Sequence, residues 1–503
     1  MQQERVALTH AEALARAERA LEQAVREASE RPDPLKPKIH FSAPAQWLND
    51  PNGFIYYKGE YHLFYQFHPY GNRWGPMHWG HAKSADLVHW EHLPIALAPS
   101  EPYDLDERGG CFSGSAVDDD GVLSLLYTGT VIRDGVLCQT QNLATSRDGV
   151  IFEKYEGNPV IAAYPDEGSV NFRDPKVWKH DGTWYMVLGS GKDEIGKALL
   201  YRSPDLRRWE YVGVLAESDG SLGYMWECPD FFPVGDRYAL MFSPMGMGER
   251  KAIYLLGDMD YETGKFTWDR VGDTDVGFDY YAPQSLLDDK GRRIIIAWQN
   301  SWDWMPWFNG WAPPKVTQWC GSMSIPRVVE MDEQGRLTFK PVEEMKRLRG
   351  AHYRAGPTEV EAGAPLFPST IDGREPLEMI LAFRPDRCPN RFGLRLRGSA
   401  DRSEYTSLLY DKGSRELRFD RSRSDEWSEG VRTVRLPEAN GERLVLHLFV
   451  DVSTVDVLTD SYATALTSNM YPDAGNDAFE WIAEGGPVVL ESVDVWQLRS
   501  IWE

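Results

Sequence analysis

Cysteine is scarce in this chain. Five residues (Cys111, Cys138, Cys228, Cys320 and Cys388), odd in number and far apart, supply neither a disulfide framework nor a Cys-x-x-Cys metal pair. Positive charge is also short: 54 Lys and Arg face 77 Asp and Glu, a formal net charge of −23. That balance argues against nucleic acid or an anionic membrane as partner. It suits a neutral small ligand, although a few local cations can still hold an anion. No run reaches the about 20 apolar residues of a membrane helix. The opening Met-Gln-Gln-Glu-Arg lacks the apolar core of a leader peptide, so a cytoplasmic protein with reduced thiols is expected. No glycine-rich phosphate loop and no Gly-x-Ser-x-Gly elbow occurs. His78 and His81 stand three apart without a Cys or carboxylate framework to complete a zinc site. Neither a metal nor a cofactor is expected.

Aromatic residues are plentiful, with 19 Trp, 23 Tyr and 20 Phe, and Gly (44) and Pro (32) are frequent enough for many tight turns. Five polar or carboxylate-bearing strand starts each lead, about eight to ten residues later, into a Gly-centred hairpin. They are Asp50-Pro51-Asn52-Gly53 before Gly59, Ser113-Gly114-Ser115 before Gly121, and Arg173-Asp174-Pro175 before Gly182. The last two are Glu227-Cys228-Pro229-Asp230 before Gly235 and Tyr281-Ala282-Pro283-Gln284 before Gly291. After each turn comes an aromatic or alternating run such as Tyr61–Tyr65 or Trp184–Leu188, the mark of strands joined by hairpins. A second signature, Ser-x-Asp followed by an aromatic residue and an acid, recurs at Ser84–Glu91, Ser146–Glu153 and Ser203–Glu210. Four-stranded units of this length repeated radially are propeller blades. The predicted fold is all-β, a five-bladed β-propeller over residues 37–345, with the phased residues at one mouth of its channel. A β-solenoid or a sandwich with accidental phasing is the alternative.

Outside the repeats, residues 1–36 form an N-terminal extension. Thr9 and Glu12 make a capping-box signature for a helix over 9–30, with Ala17, Leu21, Ala24 and Ala28 on one weakly apolar stripe, ended by Arg31-Pro32-Asp33-Pro34. It should pack on the propeller or on another subunit. Residues 346–503 hold a C-terminal β-sandwich, with strands at 377–383, 392–396, 417–419, 444–452, 454–458 and 488–495. The segment 341–350 reads as a linker helix stopped by Gly350.

Repeats in one phase put equivalent residues at equivalent places, so Asp50, Asp174 and Glu227 should converge. A carboxyl pair in opposite protonation states can cleave a glycosidic bond, one protonating the leaving oxygen while the other attacks or activates water. Asp50 and Glu227 are the best-matched pair. Asp174 adjoins Arg173, whose guanidinium should keep it ionised and suited to binding sugar hydroxyls.

Together, Trp47-Leu48-Asn49-Asp50-Pro51-Asn52-Gly53, Phe112-Ser113-Gly114-Ser115-Ala116, Phe172-Arg173-Asp174-Pro175 and Trp226-Glu227-Cys228-Pro229-Asp230 resemble the signature set of glycoside hydrolase family 32. The similarity runs from about His40 to the C-terminus. It implies a five-bladed propeller followed by a β-sandwich, and a retaining enzyme that releases terminal β-D-fructofuranosyl residues from sucrose, sucrose 6-phosphate or short fructo-oligosaccharides. By that resemblance Asp50 is the nucleophile at the anomeric C2, Glu227 the general acid and base, and Asp174 the transition-state stabiliser. Asn49, Gln66, Trp74, Phe112, Ser113, Arg173 and Trp298 match positions that line the fructose pocket. Retention implies catalytic carboxyls roughly 5 Å apart.

Leu48 stands where Met is common in the family, and Asp456 stands where Glu is usual in a sandwich-domain motif, a change that should concern domain packing. Six tryptophans lie between Trp298 and Trp319, more than an ordinary invertase would need. They are either an aromatic wall for the leaving sugar or a rim loop packed on the sandwich or a subunit interface. With the N-terminal helix, this segment could carry a homodimer contact. Two other functions remain open at this stage: an arabinosidase or xylosidase on a related propeller, and a non-catalytic sugar-binding protein.

Overall fold

The computed structural model describes residues 8–302, 316, 318–436 and 443–503. Five sheets follow one another between Gln46 and Pro341. Their first strands are Gln46–Tyr57, Gly110–Asp119, Phe172–His180, Met225–Val234 and Tyr281–Leu287. Each first strand packs against those of the preceding and following sheets, and the fifth packs back on the first, closing a ring. The ring is sealed by Trp319–Cys320, which leaves the fifth sheet and pairs in parallel with Gln46 and Trp47 of the first.

Local chemistry explains the hairpins. In the first three sheets the loop between strands one and two is Lys58-Gly59, Asp120-Gly121 and Asp181-Gly182, with both residues at positive φ. That is the primed turn whose twist matches paired strands. The Ser-x-Asp signature also has a structural role. Asp86, Asp148 and Asp205 each accept two backbone N–H bonds from residues two and three further on, turning the chain between the third and fourth strands.

The N-terminal helix runs His10–Glu30 with Thr9 as its cap. Thr9 Oγ1 accepts from Glu12 N at 3.3 Å, and Glu12 Oε2 accepts from Thr9 N at 2.9 Å, the reciprocal arrangement of a capping box. The helix lies on Glu91–Leu97, the outermost strand of the first blade. Its Glu18 and His10 side chains accept the otherwise unpaired edge N–H groups of Ile95 and Ala98, which covers an exposed sheet edge.

The predicted linker helix is instead a short 3-10 turn, Glu343–Leu348. Gly350 does not cap it. The chain passes straight into the strand Arg349–Ala355, whose pairing with Val488–Leu498 begins at Arg349 and leaves no room for a longer helix. Beyond it, a seven-stranded and a five-stranded sheet stack face to face. Leu377, Met379 and Leu381 meet Phe392, Leu394, Leu408 and Trp481 between them.

Propeller and sandwich are joined by buried charge. His40 is held between Asp451 Oδ2, at 3.0 Å from Nδ1, and Asp456 Oδ2, at 2.7 Å from Nε2. Arg327 of the fifth blade reaches Asp456 at 2.6 Å and Asp275 at 2.9 Å. Asp456 thus sits in the domain interface.

Candidate active site

Each of the five innermost strands departs from regular pairing near its start. The register slips between Leu48 and Pro51, Phe112 and Gly114, Glu227 and Asp230, and Tyr281 and Gln284. In the third blade it slips opposite Asp174 and Pro175. Asp174, Cys228 and Ala282, each followed by proline, have φ of +65°, +49° and +52°. Bulges of this kind bend a strand and re-aim its side chains, and here they turn the phased residues toward a common centre. The prolines show that Asp50, Asp174, Cys228 and Ala282 share one phase. Glu227 lies one residue earlier, level with Arg173 and Tyr281. Counting from the hairpin glycines hides that offset, because the loop glycine of the fourth blade precedes its partner Asp236 instead of following it.

The three carboxylates do converge. Cys228 Sγ lies 3.7 Å from Asp50 Oδ2 and 3.5 Å from Asp174 Oδ2, and its N–H donates to Asp174 Oδ2 at 2.9 Å. Ser113 Oγ donates to Asp50 Oδ2 at 2.8 Å, while Asp50 Oδ1 is buried and meets no geometric hydrogen-bond partner among the described residues. Arg173 donates to Glu227 Oε1 from Nε at 3.0 Å and from Nη2 at 2.7 Å. The Tyr281 hydroxyl donates to the other oxygen, Oε2.

Arg173 favours the ionised form of its neighbour, as its position in sequence suggested, but not as its main partner. Its fork faces Glu227, and Asp174 Oδ2 is 3.9 Å from Nε. Burial raises the Asp174 carboxyl more than Arg173 lowers it, and Glu227 pushes it further up. Asp50 is raised to about 7, by burial first and then by the charges of Asp174 and Glu227. Burial opposes the Arg173 cation, yet Glu227 and Asp174 together hold it firmly protonated. The Cys228 thiol is pushed well up by burial and by the same carboxylates, so it stays a neutral S–H donor.

The remaining predicted residues divide into two layers. Trp74 and Phe112 are half-buried, with rings edge to face at 6.3 Å. Asn49 is buried and accepts from Trp47 Nε1 at 2.8 Å, and Gln66 donates to Cys111 O at 2.9 Å. Trp298 is fully buried, packed against Tyr281, Trp47 and Trp302. It ends the second strand of its blade, as Gln66 lies near the end of its own. Trp304, Trp307 and Trp311 of the Trp-rich segment lie outside the described residues.

Below the carboxylates the channel is closed by the next residues of the same strands. Lys176 Nζ donates to Asp230 Oδ2 at 2.9 Å and to Ser285 O at 2.6 Å, and Gln284 Nε2 donates to Gly114 O at 2.9 Å. Substrate must therefore enter from the mouth. Tyr281 and Cys228 are the functional residues that sequence reasoning left without roles. Tyr281 opened the fifth phased segment, so the repeat itself held that signal.

Comparison with known proteins identifies the family. The model of the glycosyl hydrolases family 32 N-terminal domain matches residues 40–341, and that of the family 32 C-terminal domain matches residues 344–497. A sucrose-6-phosphate hydrolase of Escherichia coli is 40% identical over 482 residues, covering 92% of this chain and 94% of that protein. A raffinose invertase of the same species is 40% identical over 476 residues, covering 92% and 95%. Among solved structures, a family 32 β-fructofuranosidase of Bombyx mori superposes with a TM-score of 0.83 at 35% identity, covering 97% of this chain and 99% of that one.

Proposed function

The chain belongs to glycosyl hydrolase family 32 and is a β-fructofuranosidase, and we propose that Asp50, Glu227 and Asp174 carry its chemistry on sucrose-type sugars. The observation that carries this assignment is the knot of three buried carboxylates at the mouth, two of them bridged by the Cys228 thiol and the third held by Arg173 and Tyr281.

Asp50 is the nucleophile. Ser113 holds Oδ2, and the carboxylate attacks C2 of the fructofuranosyl unit. Glu227 protonates the departing glycosidic oxygen and then deprotonates the water that releases fructose with retention. Arg173 holds Oε1 with two N–H donors, and Tyr281 holds Oε2, which keeps a second lone pair for the reacting groups. Asp174 binds fructose hydroxyls through the oxygen that Cys228 does not occupy. Asn49, Gln66, Trp74, Phe112 and Ser113 line the fructose pocket, where amides and hydroxyls bond the sugar and aromatic faces cover its C–H surfaces. Trp298 packs against Tyr281 beside this wall. The propeller of residues 37–345 carries the reaction, residues 346–503 brace it, and the extension 1–36 covers the edge of the first blade.

Sucrose and sucrose 6-phosphate are the proposed substrates. The test is kcat/KM on each, side by side, with Asp50→Asn as the blank. Turnover of either above the blank supports the reading, and cleavage of neither contradicts it.

A further inference from the structure

A second cavity, of about 660 Å³, lies between the start of the N-terminal helix and the first blade. Tyr70 forms one wall, from the loop between the second and third strands of that blade, and its side chain is 41% exposed. The Arg16 guanidinium lies 5.5 Å from the Tyr70 ring centroid and makes no ion pair among the described residues. Leu105, half exposed, adds apolar surface with Pro76 and Pro99.

His78 completes the cavity in a way that points to a ligand. It is 4% exposed, and its Nδ1 lies 2.9 Å from Pro76 O. A carbonyl only accepts, so Nδ1 carries the ring proton and Nε2 is left as an acceptor. That Nε2 has no hydrogen-bond partner among the described residues, and His78 lines the cavity. Burial holds the ring neutral, with its pKa pushed down to about 3.

The cavity therefore offers an aromatic ring, apolar patches, a fixed acceptor and a cationic donor. Asp106 and Glu107 also border it and disfavour an anionic ligand. A neutral molecule with apolar C–H faces and hydroxyls that both donate and accept fits this set, and a sugar is such a molecule. The loop that supplies Tyr70 also supplies Trp74 to the catalytic pocket. It is pinned by Trp47 N donating to Gly71 O at 3.2 Å and by Asn72 Nδ2 donating to Val316 O at 3.3 Å.

We propose that this cavity is a second, non-catalytic saccharide site, in which a sugar packs on Tyr70, donates a hydroxyl to His78 Nε2 and accepts from Arg16. The inference goes beyond hydrolysis, since none of the residues assigned to catalysis lines this cavity.

Equilibrium dialysis of sucrose against the Asp50→Asn enzyme tests it, because the sugar stays intact. Two sites per chain are expected. Adding Tyr70→Ala, or separately Arg16→Ala, should leave one. Neither substitution alone should change wild-type kcat/KM on dilute sucrose by more than about twofold. One site in the parent and in both variants overturns the proposal while leaving the hydrolase reading intact. Loss of no site on either substitution also overturns it. Absence of all sucrose binding, with no turnover by the wild type, contradicts both readings.

Discussion

Arg173 grips Glu227, not the aspartate beside it in sequence: Nε and Nη2 lie 3.0 and 2.7 Å from Glu227 Oε1, while Asp174 is 3.9 Å away. The third and fourth blades are thus joined through the group assigned to proton transfer. Arg173→Lys keeps the charge but loses the planar fork. It should lower kcat by about 10 to 100-fold with a smaller change in KM. Steady-state kinetics on sucrose checks this, and an unchanged kcat would remove Arg173 from the assignment.

Tyr281 approaches the same carboxyl from the fifth blade, donating to Glu227 Oε2. A hydrogen bond to a charged group is worth about 1.5–3 kcal/mol. Tyr281→Phe should therefore cost roughly tenfold or more in kcat, with little change in thermal stability. A variant that unfolds instead would show that the hydroxyl serves packing.

Asp50 must be ionised to attack, yet its surroundings raise it to about 7. The kcat/KM of the free enzyme should fall by up to about tenfold per pH unit below that point. A profile that stays flat down to pH 5 would contradict the assignment.

The same carboxyl has an opposite effect on stability. The folded protein holds a proton on Asp50 between its ordinary 3.8 and about 7, where the unfolded chain has already released it. Stability from this group is complete below the lower value and is lost as pH rises through the higher one. Asp50→Asn removes the buried charge. It should abolish turnover and yet stabilise the protein above pH 7 by on the order of 2 kcal/mol. Denaturant unfolding at pH 5 and pH 8 separates this from a neutral change, since the gain should appear mainly at the higher pH.

His40 gives the alkaline counterpart. Burial works against its charge, but hydrogen bonds and charges of Asp451 and Asp456 outweigh it and raise the imidazole to about 9. Thr454 Oγ1 also meets Nδ1, and Arg327, shared with Asp275, donates to the other oxygen of Asp456. This stability is fully present below 6.5 and is lost as pH passes about 9. His40→Gln should cost about 3 kcal/mol or more at pH 7 and flatten the loss between pH 8 and 10. A wild type equally stable at both values would contradict the clamp.

Much of this architecture was legible in the chain. Hairpin glycines and aromatic runs announce strands because turn chemistry and strand packing are local, and the capping box of Thr9 and Glu12 is local too. Convergence of Asp50, Asp174 and Glu227 was legible because a radial repeat turns spacing in sequence into position in space. What stayed hidden depends on contacts between blades. Adjacency in sequence suggested that Arg173 serves Asp174, but the bulge in its strand aims its fork across the channel at Glu227. The burial of Trp298 against Tyr281, and the clamp on His40 from residues more than 400 positions away, follow from packing that no local pattern records.

The most direct test of the assignment is a rapid acid quench of the wild-type enzyme during sucrose turnover, followed by peptide mass mapping. The account predicts a single fructosyl ester on the peptide that contains Asp50, with fructose first released in the retained configuration. An ester on Asp174, or no ester together with inverted fructose, would contradict it.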